Sequence, residues 1–127
     1  MLIHIDFESD TPIYAQLRDQ VVIGIADGSL EKGEALPSVR RMAADIGVHA
    51  HTVNKSYAML RDEGYIVMDR RSGCHVRVDP QSPDEGFSKA FERKLLPLAA
   101  EAACHGLSAN DFGALCAQIL ARLEGSP

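Results

Sequence analysis

A mainly α fold with one small β-hairpin is predicted, a winged helix-turn-helix followed by two further helices. Three observations predict it. Two short helical patterns meet at a turn around Gly47. Two β-rich segments flank a polar turn at residues 69–73, and beyond a Pro/Ser/Asp-rich stretch two amphipathic patterns close the sequence. The 127 residues are 46% apolar and 24% charged, a globular composition and not a disordered one. Aromatics are only 6% and Trp is absent, so the core must come mainly from Leu, Ile, Val and Ala.

Leu2–Phe7 alternates and reads as a short strand or an extended arm. Asp10-Thr11 offers N-cap chemistry, with Pro12 in the first turn. Ile13, Leu17, Val21 and Ile25 then recur every four residues, with Tyr14 and Val22 beside them, and Asp27-Gly28 ends this helix. Ser29–Pro37 reads as a loop with Leu30 and Leu36 tucked beneath it. Ser38 caps a second helix with Val39, Met42, Ala43 and Ile46 inward, and Gly47 stops it. A third helix begins three residues later, with Val53, Tyr57 and Leu60 inward, and ends at Glu63-Gly64. Tyr65–Met68 and Cys74–Val78 are the expected strands of the hairpin.

Asp79–Gly86 reads as a linker. Phe87, Phe91, Leu95, Leu98 and Ala102 line one face of the next helix, with Pro97 expected to bend it. After Gly106, Leu107 and Ser108 open a last helix with Phe112, Leu115, Cys116, Ile119, Leu120 and Leu123 as its stripe. The expected organisation is thus a winged helix over residues 11–79, a linker over 80–86 and a two-helix dimerisation region over 87–124.

The net charge of −5 conceals an uneven distribution. Ser38–Arg77 holds seven Lys/Arg against four Asp/Glu and carries +3, leaving −8 on the remainder. A basic segment within an acidic chain is the footprint of a face that binds a polyanion. No segment approaches the roughly 18 apolar residues of a membrane helix. The first residues lack a signal-peptide pattern, so a cytoplasmic location without a membrane partner is expected. Cys74, Cys104 and Cys116 are odd in number, without a CxxC, and are expected to pack on apolar faces. His49, His51 and His75 lack the companions that a metal site needs, so neither a metal nor another cofactor is expected. There is no nucleophile elbow, P-loop, dinucleotide fingerprint or HExxH, which argues against an enzyme.

Several strings at fixed spacing carry a family resemblance. Pro12-Ile13-Tyr14-Ala15-Gln16-Leu17 is followed by Gly28-Ser29-Leu30-Glu31-Lys32-Gly33-Glu34-Ala35-Leu36-Pro37-Ser38-Val39-Arg40. Then come Gly47-Val48, Thr52-Val53, Tyr57, Leu60 and Glu63-Gly64-Tyr65-Ile66. Together they resemble the N-terminal DNA-binding domain of the GntR family of bacterial transcription regulators. Only 48 residues follow Asp79, too few for the large effector domains of most of that family. Two short helices there look like the YtrA subfamily, whose reduced C-terminal region mediates dimerisation. The resemblance implies a sequence-specific regulator, by family default a repressor, that binds a palindromic double-stranded operator as a homodimer. It also implies that Arg40, the arginine of a Pro-Ser-x-Arg motif, approaches DNA.

The expected DNA-binding residues follow from chemistry and geometry. Ser38 heads the second helix, where free N–H groups favour a phosphate, and Arg41 lies nearby. The start of the third helix should enter the major groove and present His49, Ala50, His51, Thr52, Asn54 and Lys55. His51 and Asn54 suit base edges, whereas Thr52 and Lys55 suit phosphates. The family commonly has arginine where this chain has Ala50, which can only touch a thymine methyl. The bases read should differ accordingly. Arg70, Arg71, Ser72 and Gly73 form a wing tip suited to a narrow minor groove. Phe87, Phe91, Leu95, Leu98, Phe112, Leu115, Ile119 and Leu123 are the expected dimerisation residues. Ala50 and the negative charge leave open an interaction module that has lost DNA binding, and the histidines and cysteines a metal- or redox-responsive regulator. No residue identifies a small-molecule effector.

Overall fold

The computed structural model describes residues 3–79 and 83–125. Its elements in order are α1 (Ile13–Asp27), α2 (Val39–Ile46), α3 (Ala50–Asp62), β1 (Ile66–Asp69), β2 (Gly73–Val76), α4 (Glu85–Cys104) and α5 (Ala109–Leu123). They fall into two compact units, residues 1–80 and 81–127. The fold is mainly α with one antiparallel hairpin, as the sequence predicts.

In the first unit, α3 packs against α1, α2 and β1. Leu17, Val21, Leu30, Val53, Tyr57, Leu60, Ile66 and Val76 form the heart of the core, closed by Ile5, Leu36, Met42 and Ala43. The four-residue spacing in α1 brings Leu17 and Val21 to this core. Ser38 Oγ accepts from the backbone N–H of Arg41 at 3.1 Å and starts α2. Gly47 adopts φ 72°, a left-handed conformation that costs glycine little and turns the chain sharply towards α3. Tyr57, fully buried, donates its hydroxyl to the carbonyl of Pro37 at 2.8 Å, so α3 holds the entry to α2. Burial raises the Tyr57 hydroxyl well above its ordinary pKa and keeps it a neutral donor.

The boundaries depart from expectation at several points. Pro12, not Asp10 or Thr11, is the N-cap of α1, and it has no side-chain oxygen to cap with. Strand β1 lies one residue later than expected, while β2 begins one residue earlier and ends two earlier, with Ile66 opposite Val76 and Asp69 opposite Gly73. Gly73 is therefore the first residue of β2 and not part of the wing-tip turn. Its φ of 78° carries the chain out of the turn directly into the ladder. The loop before α2 contributes a third edge to the wing. Leu36 N–H donates to Cys74 O and Val76 N–H to Glu34 O, both at 2.8 Å. Helix α4 begins at Glu85, so Glu85 and Gly86, read as linker, are helical. The Asp84 carboxylate accepts from the backbone N–H of Phe87 at 2.7 Å and nucleates that first turn. Pro97 lies inside α4, which continues to Cys104. Residues 80–82 of the expected linker, Leu2 of the expected strand or arm and the C-terminal Ser126-Pro127 lie outside the described residues.

The N-terminal segment is an arm, held by two glutamines of α1. Gln16 Oε1 accepts from Asp6 N–H at 2.9 Å, while its Nε2 donates to Asp6 O and Thr11 O. Gln20 accepts from His4 N–H at 2.8 Å and donates back to His4 O. Between these two glutamines in the sequence of α1, Arg18 grips both carboxylate oxygens of Glu63 at 3.1 and 2.8 Å and lies over the Tyr65 ring. The hydrogen bonds to Glu63 raise the Arg18 pKa further, so the guanidinium in this link between α1 and the end of α3 stays charged.

One buried polar group has no partner among the described residues, the Ser56 hydroxyl on the inner side of α3. An unpaired buried hydroxyl opposes folding, and alanine is the better helix former. Ser56→Ala is expected to stabilise the fold by about 1 kcal/mol. In a thermal melt that is a rise of roughly 4–8 °C for a domain of this size. An unchanged or lower midpoint would mean that the hydroxyl finds a partner in solution.

Candidate nucleic-acid interface

The first turn of α3 stands beyond the glycine turn as an exposed rim. His49 is the N-cap residue of α3, with no side-chain capping bond, and its ring is exposed. Ala50, His51, Asn54 and Lys55 are exposed along the outer stripe, with Thr52 half-buried at its edge. Val53, Ser56, Tyr57 and Leu60 take the opposite face and fix the rotation of the helix. His51 and Lys55 are four residues apart, as are Ala50 and Asn54, so all four project from one surface.

Ser38 and Arg40 are exposed at the start of α2, where Ser38 is occupied as the N-cap. Arg41 is also exposed and reaches Asp45 at 3.8 Å, a loose surface pair. Arg70, Arg71 and Ser72 form the exposed turn between β1 and β2. The Asp69 carboxylate braces that turn by accepting from the Arg71 N–H at 2.8 Å. This bond and one from the Ser72 hydroxyl hold the Asp69 carboxyl below its ordinary pKa. The brace is therefore present at neutral pH and is lost only as the pH falls through that lowered value.

Of the thirteen Lys and Arg, four pair with carboxylates; the unpaired ones include four on α2, α3 and the wing, beside Lys32, Arg77, Arg93, Lys94 and Arg122 elsewhere among the described residues. Arg18, Arg41, Arg61 and Lys89 pair with carboxylates. Among the described residues, Arg40, Lys55, Arg70 and Arg71 take part in no ion pair. Lys55 instead places its ammonium 3.9 Å from the centre of the Tyr14 ring. Unneutralised charge on α2, α3 and the wing is what a phosphate backbone requires.

Sequence reasoning missed two supports of this surface. Tyr14 is remote from Lys55 in the chain, and only the packing of α1 on α3 joins them. Asp69 was readable in principle, since Asp two residues before a turn amide is an Asx-turn pattern. Cys74 is half-buried, and burial pushes its thiol up to about 11, which leaves it protonated and unreactive at neutral pH. Cys116 is half-buried too, but Cys104 is exposed, contrary to the packing expected of it, because it lies at the open end of α4. Among the described residues, no three His, Cys, Asp or Glu side chains gather as a metal site. None of the described helices is long and apolar enough to cross a membrane.

In the second unit the expected apolar stripes lie open. Neither α4 nor α5 has a buried residue, and the two helices share little contact. Phe87, Phe91 and Leu98 are 49%, 52% and 57% exposed, and Leu95, Leu115 and Ile119 are exposed as well. Phe112 and Leu123 are half-buried. The Phe87 and Phe91 rings stack at 5.5 Å along one face of α4.

The family model "Bacterial regulatory proteins, gntR family" matches residues 13–76, which takes in α1, α2, α3 and the wing but not α4 or α5. The chain belongs to the gntR family. It is a DNA-binding transcription regulator of that family. The HTH-type transcriptional repressor YtrA of Bacillus subtilis is 30% identical over 98% of this gntR-family chain and 96% of its own length. The HTH-type transcriptional regulator Rv1152 of Mycobacterium tuberculosis is 35% identical over 61% of the chain, which spans only 65% of that relative. Among solved structures, YtrA from Sulfolobus acidocaldarius, a GntR-family transcription factor, is 37% identical with a TM-score of 0.63. That match covers 84% of this chain and all of the Sulfolobus protein. These relatives are named as transcription regulators and not as enzymes.

Proposed function

We propose that this gntR-family regulator is a repressor that binds a palindromic operator as a homodimer. The observation that carries the reading is the set of cations on α2, α3 and the wing that the fold leaves unpaired. In this reading the start of α3 enters the major groove. His51 and Asn54 meet base edges, Ala50 faces a thymine methyl, and Lys55 and Thr52 meet phosphates. The first turn of α2, with Ser38, Arg40 and Arg41, lies on the backbone. The turn carrying Arg70, Arg71 and Ser72, with Gly73 behind it, enters the adjoining minor groove. The open stripes of α4 and α5 support pairing with a second copy through Phe87, Phe91, Leu95, Leu98, Phe112, Leu115, Ile119 and Leu123. The name of YtrA, similar over nearly the whole chain, supports repression. A bacterial operator as its target would put this regulator in the cytoplasm.

Binding-site selection from a random duplex library tests this reading. The full chain is expected to enrich a two-fold symmetric sequence. Asn54→Ala and His51→Ala should each change the preferred base at particular positions, at a cost of about 1–3 kcal/mol. Arg40→Ala and Arg71→Ala should each weaken binding to the selected duplex, with an unchanged far-UV circular dichroism spectrum. Enrichment of no sequence by the wild-type chain would overturn the proposal. The same preferred site for every variant would move base reading away from α3.

A further inference from the structure

We propose that Tyr14 is a positioning residue for DNA binding, holding the Lys55 ammonium ready for a phosphodiester oxygen. The inference rests on α3 being the helix that meets DNA. Lys55 lies on the exposed stripe of α3, and its Nζ is 3.9 Å from the centre of the Tyr14 ring. Tyr14 is half-buried in the first turn of α1, so its ring is carried by a regular helix and not by a loop. The packing of α1 on α3 brings the two residues together.

The chemistry of the pair explains why an aromatic ring serves here. A lysine side chain has four rotatable bonds and loses much of that freedom when it is fixed on DNA. A carboxylate in place of Tyr14 would order the ammonium but neutralise the charge that the phosphate needs. The face of an aromatic ring attracts a cation through its quadrupole and adds no net charge. Lys55 is thus ordered in advance and remains fully cationic. It pairs with no carboxylate among the described residues. The contrast with Arg41 of α2, drawn towards Asp45 one turn further along the same helix, is direct.

The test uses the full chain and a duplex selected by the wild-type protein from a random library, titrated by fluorescence anisotropy at several salt concentrations. Lys55→Ala is expected to lower the slope of log affinity against log salt by about one, the signature of one lost phosphate contact. Tyr14→Leu should weaken binding about two- to five-fold at fixed salt and leave the slope unchanged, because the contact still forms but is no longer prepared. Tyr14→Phe keeps the ring and should bind as wild type. In a Lys55→Ala background, Tyr14→Leu should cause no further loss, whereas a purely structural defect would add to it. Additive losses in that double variant, or a Phe variant as weak as the Leu variant, would overturn the role of Tyr14 and leave DNA binding intact. An unchanged salt slope for Lys55→Ala would overturn it at the lysine. A wild-type chain that selects no duplex would remove the parent reading together with this one.

Discussion

A chain cut after Asp79 is expected to stay folded, to be monomeric and to bind its operator on the order of 10²- to 10⁴-fold more weakly than the full chain. Folding should survive because every buried residue of the core lies between Ile5 and Val76. Pairing should be lost because the large apolar side chains left open on α4 and α5 are removed. Covering such a side chain contributes roughly 1.5–3 kcal/mol, so a second copy that covers several of them gains enough to associate. One winged helix contacts one half-site, and a tethered second module binds its own half-site at high effective concentration. Sedimentation equilibrium and a titration with the selected duplex read both effects. A full chain that stays monomeric at micromolar concentration would defeat the assignment, as would a cut chain that still dimerises.

Tyr57→Ala is expected to cost about 3–5 kcal/mol, as the removal of large core aromatics does. Tyr57 is the largest fully buried side chain, and the substitution also deprives the Pro37 carbonyl of its donor. Against a typical stability of about 5–15 kcal/mol, that loss leaves the first unit close to unfolding. Tyr57→Phe keeps the ring and removes only the hydrogen bond, and it should cost about 0.5–1.5 kcal/mol. Urea denaturation of the two variants separates packing from the hydrogen bond. Equal losses would show that the hydroxyl, not the ring, carries the contribution.

The helices and the wing were legible because local chemistry marks their limits. Ser38 is a capping residue that caps, and Gly28 and Gly47 take the left-handed conformations at the two helix ends where glycine was read as a stop. The inward positions of α3 followed from their spacing, which also set its outward stripe. The start of α4 was misplaced because Asp84, one residue before Glu85, was read as part of a polar linker when it is a cap. The contact between Lys55 and Tyr14 was not legible, since periodicity orients side chains within a helix but says nothing of which neighbour packs there. The third edge of the wing escaped for a related reason. Residues 33–36 carry turn residues and no alternation, and their pairing with β2 is dictated by the loop's path across the core.

The N-terminal arm is fastened by Gln16 and Gln20 through the backbone atoms of Asp6 and His4, not through their side chains. Such an attachment is indifferent to what residues 4 and 6 are, provided each retains its amide and carbonyl, which excludes only proline. The recognition is carried entirely by the helix. Across descendants of this chain, the arm could therefore drift in sequence at those exposed positions while keeping this attachment. The two glutamines could not, because a shortened or charged replacement loses the paired donor and acceptor that a primary amide supplies. In an aligned set of descendants the conserved letters would stand in α1, and in the segment they hold the constraint would come from Ile5 and Ile3 against the core and from the Asp6 carboxylate, which accepts from the Glu8 N–H.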